Sequence, residues 1–95
     1  MAQRPDVIHN DSAHRFEIDT AEGTAVLNYV ADGGRLSLVH TEVPAALEGD
    51  GYGSALARAA LDYARANGLG VVPSCPFVAT YLQRHPEYND LAATG

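Results

Sequence analysis

The chain has no lysine and no tryptophan, a single cysteine, and only two phenylalanines among its 95 residues. With lysine missing, positive charge rests on six arginines scattered from Arg4 to Arg84, against twelve acidic residues, for a net charge of −6. A nucleic-acid binder needs a clustered basic face, and none is present, so no nucleic-acid partner is expected. The acidic balance suits a cationic partner instead, or simply keeps the domain soluble; net charge alone does not choose between these. One cysteine cannot form an internal disulfide, which points to a reducing, cytoplasmic setting. Apolar runs are too short to span a bilayer, and the first six residues, Met1 to Asp6, lack a signal-peptide core, so no membrane association is expected. The four histidines and the cysteine show no metal-ligand spacing, so no metal is expected.

What is present fits one small domain. Residues 1–12 are polar and aperiodic and read as a flexible lead-in to a domain over 13–92. From His14 to Asp19, Phe16 and Ile18 alternate with charged residues, the period of a half-buried strand. Thr24 to Ala31 is apolar on both faces and suits a central strand. Asp32-Gly33-Gly34 is a hairpin turn, because its glycines supply the positive φ that tight hairpins need. A third strand runs from Arg35 to Val43, and Pro44, which lacks an N–H, stops it. The pattern then changes to helix over 51–67, with Tyr52, Leu56, Ala59, Ala60 and Tyr63 as its apolar stripe and Asn67-Gly68 as its stop. Gly70 to Val72 is a fourth strand, parallel to the third through a right-handed crossover. Pro76 opens a second helix that buries Phe77, Val78, Tyr81 and Leu82 and ends at Pro86. The expected architecture is α/β (α+β): a mixed sheet in the order βββαβα, an antiparallel meander joined to a parallel pair and flanked by two helices.

Three places carry candidate chemistry. Glu48-Gly49-Asp50-Gly51-Tyr52-Gly53-Ser54 lies between a strand and a helix, so its main-chain N–H groups sit at the positive end of that helix, a natural seat for a diphosphate. It lacks the lysine of a Walker loop and the third glycine of a dinucleotide fingerprint, and the plain alternative is a tight entry into the helix. Cys75 sits at a helix N-terminus between Ser74 and Pro76, a position that favours a thiolate, although single cysteines are commonly buried hydrophobes. His40 and Glu42, two apart on a strand, share one face; a carboxylate partly desolvated by the turn can take a proton from an amine, and an exposed edge pair is the simpler alternative.

The strand, the Glu48-x-x-Gly51-x-Gly53 turn and the following helix resemble motif A of the GNAT superfamily of acetyl-CoA-dependent N-acetyltransferases, written Arg/Gln-x-x-Gly-x-Gly/Ala. With Thr41-Glu42-Val43-Pro44, Leu61-Asp62-Tyr63-Ala64-Arg65, Val72-Pro73-Ser74-Cys75-Pro76-Phe77 and His85-Pro86-Glu87-Tyr88, the chain is similar from His14 to Leu91 to the minimal single-domain members (YjdJ-type). The resemblance implies a GNAT-like fold and an acetyl-CoA or CoA cofactor, its pyrophosphate on the N–H groups of Glu48 to Ser54. Its pantetheine arm would lie between the splayed third and fourth strands near Glu42 and Val43, with the thioester pointing toward Cys75. It further implies acetyl transfer to a primary amine on a basic peptide, polyamine or small metabolite. Glu42, with His40, would deprotonate the amine, or Cys75 would carry the acetyl group. Glu48 departs from the motif, and its carboxylate repels a diphosphate unless it points away. The other reading is a CoA-binding module or sensor without turnover. Oligomeric state is not encoded in these patterns, and a monomer fits them.

Overall fold

The computed structural model describes residues 6–92. Five strands form one sheet in the order β1-β2-β3-β4-β5, made by Ile8–Asn10 (β1), Arg15–Thr20 (β2), Gly23–Asp32 (β3), Arg35–Glu42 (β4) and Gly70–Val72 (β5). Helix α1 (Tyr52–Ala66) joins β4 to β5, and helix α2 (Pro76–Arg84) follows β5. Single 3-10 segments cover Ala45–Leu47 and Pro86–Leu91. The first three strand pairings are antiparallel and β4 with β5 is parallel, so the expected mixed α/β sheet is present.

The lead-in expected over 1–12 is corrected at its end. Ile8–Asn10 pairs antiparallel with β2 and makes the order ββββαβα; residues 1–5 of that lead-in lie outside the described residues. Three residues cannot display a period, and tertiary contacts hold them instead. His9 stacks on Phe16 and meets Tyr63 edge-on, each with ring centroids 4.4 Å apart, and its Nε2 lies 2.6 Å from the Tyr29 hydroxyl. Burial, with the neighbouring Asp11 carboxylate, pushes that hydroxyl up to about 12.

Local chemistry sets the turns. Gly33 and Gly34 adopt φ of +58° and +80°, the paired left-handed conformation of a two-residue hairpin. Helix α1 ends in a glycine-based stop, with Gly68 N–H donating to the Arg65 carbonyl and Leu69 N–H to the Ala64 carbonyl.

Both faces of the sheet do not bury equally. Phe16, Ile18, Ala25, Leu27, Tyr29, Leu36, Leu38 and Val71 face the helices, where Leu56, Ala57, Ala60, Leu61, Ala64 and Val78 meet them. The buried stripe of α1 is thus rotated from the expected one: Leu56 and Ala60 are buried, while Tyr52, Ala59 and Tyr63 are half-buried. Alanine at three of these contacts lets the helix axis approach the sheet closely. Phe77, expected in the core, is 42% exposed.

Candidate functional site

A one-residue irregularity in β4 decides what faces the site. Tyr29 pairs with Leu38 but Asn28 pairs with His40, so Val39 is an extra residue, a β-bulge. Strict alternation from Leu36 and Leu38 would put His40 and Glu42 toward the helices. The bulge shifts the phase, as a one-residue slip always does. Thr41, opposite the buried Leu27, faces the helices, and His40 and Glu42 turn to the outer face. They share that face as expected, with His40 Nε2 3.9 Å from a Glu42 oxygen. The expected desolvation of Glu42 is not found: its side chain is 73% exposed.

The parallel pair also comes apart. β5 pairs with β4 only along Arg35 to Ser37, and one further bond, Cys75 N–H to the Leu38 carbonyl at 2.8 Å, ends the contact. From Val39 to Glu42 the β4 edge diverges from the chain that has turned into α2. The gap opens into a cleft of about 500 Å³. Thr41 and Val43 form one wall, Leu47 and the 48–54 turn another, and Phe77 the third.

The turn itself provides donors. Gly49 and Gly51 take φ of +89° and +88°, and Gly51 is the residue from which α1 begins. This left-handed entry aims successive amides outward. Within the turn, Glu48 N–H donates to the Ala45 carbonyl, Asp50 N–H to the Leu47 carbonyl and Ala55 N–H to the Gly51 carbonyl. Among the described residues, no internal acceptor takes the N–H groups of Gly49, Gly51, Tyr52, Gly53 or Ser54. The expectation of a donor row from Glu48 to Ser54 is therefore corrected at two positions, Glu48 and Asp50, whose amides are spent on the preceding 3-10 turn. Glu48 still lines the cleft with its carboxylate exposed, and Asp50 does not line it.

Cys75 stands behind the cleft wall. It is 5% exposed, caps α2 with Pro76 following, and its Sγ lies 3.3 Å from the Thr41 hydroxyl. Burial alone would raise the thiol. Hydrogen bonds from the Thr41 hydroxyl and from backbone groups of Val78, Phe77 and Thr41 outweigh it and bring the thiol below its ordinary value. Of the residues expected to bind cofactor, the structure gathers Val43, Glu48, Gly49, Gly51, Tyr52, Gly53 and Ser54 around one cleft. Cys75 adjoins it through Thr41, and Glu42 and His40 lie across the strand from it.

Two cleft residues were not anticipated in their roles. Thr41 carries the hydroxyl that reaches Cys75, and only the bulge brings it there. Phe77 lies over Gly53, so closely that a β-carbon at Gly53 would stand 2.8 Å from the Phe77 Cζ. Glycine at position 53 is thus the sequence signal for the aromatic ring, legible only once both helices are placed.

Residues 15–91 match the family model of the GCN5-related N-acetyl-transferases. Protein NATD1 of Mus musculus is 34% identical over 83 residues, covering 84% of this chain and 76% of that protein. The NMR solution structure of a GCN5-like protein from Staphylococcus aureus superposes with a TM-score of 0.74 at 26% identity, over 99% of this chain and 93% of that one.

Proposed function

Since the chain belongs to the GCN5-related N-acetyltransferase family, we propose that it moves an acetyl group from acetyl-CoA to a primary amine. The observation that carries this reading is the row of amides without internal acceptors at Gly49, Gly51, Tyr52, Gly53 and Ser54, opening onto a cleft that Thr41 lines, with Cys75 buried behind it. A diphosphate suits those donors in charge and in number, and the helix dipole of α1 favours it further. Glu48 opposes it, so affinity for CoA is modest. When bound, acetyl-CoA supplies the activated thioester. The residues supply the rest: Val43 and Phe77 shield the cleft from water, and the β4 edge beyond Leu38 offers main-chain groups to the pantetheine amides.

On this reading Glu42 and His40, on the outer face of β4, take the proton from an amine arriving from that side. The acceptor is then cationic before reaction, a basic peptide, a polyamine or a small amine metabolite, consistent with the charge of −6. Direct transfer is favoured because Cys75 is buried behind Thr41 and does not line the cleft. A two-step route through acetyl-Cys75 draws on one observation, the lowered thiol pKa.

Thermal unfolding with added CoA is the first test. At 100 times its Kd, CoA adds about 2.7 kcal/mol of stability; no shift at millimolar CoA removes the reading. Mass spectrometry of amines incubated with acetyl-CoA and protein then separates enzyme from binding module, since binding without product leaves only the latter. The chain has no lysine, so acetyl found on the protein itself sits on Cys75 or the amino terminus. Undiminished transfer by Cys75→Ala excludes the two-step route.

A further inference from the structure

The helices pack on the inner face of the sheet, which leaves its outer face open. Directly paired residues of neighbouring strands share a face, so the pairing fixes which side chains stand there. Glu42 stands in line with Val26 and Glu17, and His40 in line with Asn28 and Arg15. The bulge adds Val39 beside His40. Val30 pairs with Ser37, two residues before Val39, so the two valines are diagonal neighbours. Among the described residues, four large apolar side chains are exposed, and Ile8, Val30 and Val39 of this face are three of them. Val30 is 53% and Val39 41% exposed, beside the pair that receives the proton. Charge on this part of the face is negative. Arg15 and Asn10 are bonded to Glu17, which cancels that arginine, while Asp19 and Glu42 remain; the other outward arginine, Arg35, stands at the far end of β4.

We infer that this face docks the acceptor, and that the acceptor is a lysine side chain presented by a polypeptide, with an apolar neighbour of that lysine seated on Val30 and Val39. The inference rests on the acetyl-transfer reading above and narrows its acceptor. A small free amine is held by a concave site that buries most of its surface. His40 and Glu42 instead each keep more than half of the side chain in water, where a single ion pair holds an amine weakly. A polypeptide brings its own surface to cover the valines, and its ammonium meets carboxylates of the matching sign. Val39 and Glu42 lie about 10 Å apart along the strand, which an extended peptide spans in about three residues. The apolar neighbour therefore lies within that distance of the lysine in sequence. Glu42 takes one ammonium proton and passes it to water. The second goes to the departing thiolate as the new C–N bond forms and the thioester C–S bond breaks. The chain has no lysine, so no copy of the protein competes for the face with an ε-amine of its own.

Acetyl transfer from acetyl-CoA by the full chain, read by mass spectrometry as kcat/KM, tests this with three acceptors. They are an amino-terminally blocked peptide with one lysine beside a leucine, the same peptide with serine for that leucine, and spermidine. The leucine peptide is the best acceptor, about tenfold ahead of the serine peptide, as partial burial of one leucine gives. Val39→Ser and Val30→Ser, at two exposed positions, each bring the ratio between the peptides toward one through KM. Equal transfer to the two peptides, a leucine preference that survives both variants, or spermidine as the best acceptor overturns the docking surface and leaves acetyl transfer standing. Transfer to none of the three overturns both.

Discussion

Replacing Gly53 by alanine tests the cleft without touching its charge. The new β-carbon would stand 2.8, 3.2 and 3.3 Å from the Cζ, Cε2 and Cε1 atoms of Phe77. Carbon atoms rest at about 3.5–4.0 Å, so the ring must retreat by about 1 Å. Phe77 is 42% exposed and sits in the first turn of α2, so it can swing, and the space open to it is the cleft. An off-rotamer ring costs about 0.5–1.5 kcal/mol, and replacing a helical glycine by alanine returns about 0.5–1 kcal/mol. Stability therefore changes by less than about 1 kcal/mol, while the narrowed cleft weakens CoA binding about tenfold, or about 1.4 kcal/mol. Denaturant unfolding and calorimetric titration read the two quantities separately. In a Phe77→Ala background the ring is gone, and the second substitution should leave CoA affinity where the first put it. Unchanged CoA affinity in Gly53→Ala, or an equal loss with and without Phe77, refutes the cleft wall described above.

Gly51→Ala meets no atom within 4 Å, so its cost is conformational only: forcing φ of +88° on alanine destabilises the fold by about 1–2 kcal/mol, measured as a lowered urea midpoint. Thr41→Val removes the hydroxyl bonded to Cys75; the midpoint of thiol alkylation against pH rises, whereas an unmoved midpoint would show that the hydroxyl does not hold the thiolate. Tyr88 is pushed up to about 12 by burial and its bond to Asp62, from 10.0. A group raised on folding stabilises fully below its unfolded value, so this contribution is present below pH 10 and is lost as pH climbs toward 12. Unfolding free energies of Tyr88→Phe should fall less steeply over that interval than those of the wild type.

Elements with local causes were legible in the sequence. The Gly33-Gly34 hairpin, the stop of the third strand at Pro44, the Asn67-Gly68 helix end and Pro76 at the head of α2 each follow from one or two residues' backbone chemistry. The parallel placement of β5 followed from connection handedness, and the phosphate-type turn from its glycines. What escaped depends on contacts distant in the chain. β1 exists because His9 lodges among Phe16, Tyr29 and Tyr63. The bulge at Val39 leaves no mark in the residue types of β4, yet it sends Thr41 inward and Glu42 outward. Phe77 has the composition of a core residue and the position of a cleft wall, because Gly53 on another helix leaves it room. Two amides of the turn were lost to a 3-10 segment whose sequence, Ala45-Ala46-Leu47, carries no turn signal.

Amide chemical shifts followed during a CoA titration bear most directly on the central claim, that the turn's own N–H groups receive the cofactor's diphosphate. The account predicts saturable downfield shifts at Gly49, Gly51, Tyr52, Gly53 and Ser54, with far smaller changes at Glu48 and Asp50, whose donors are already engaged. CoA that binds while these five amides stay still, or that fails to bind at all, contradicts it.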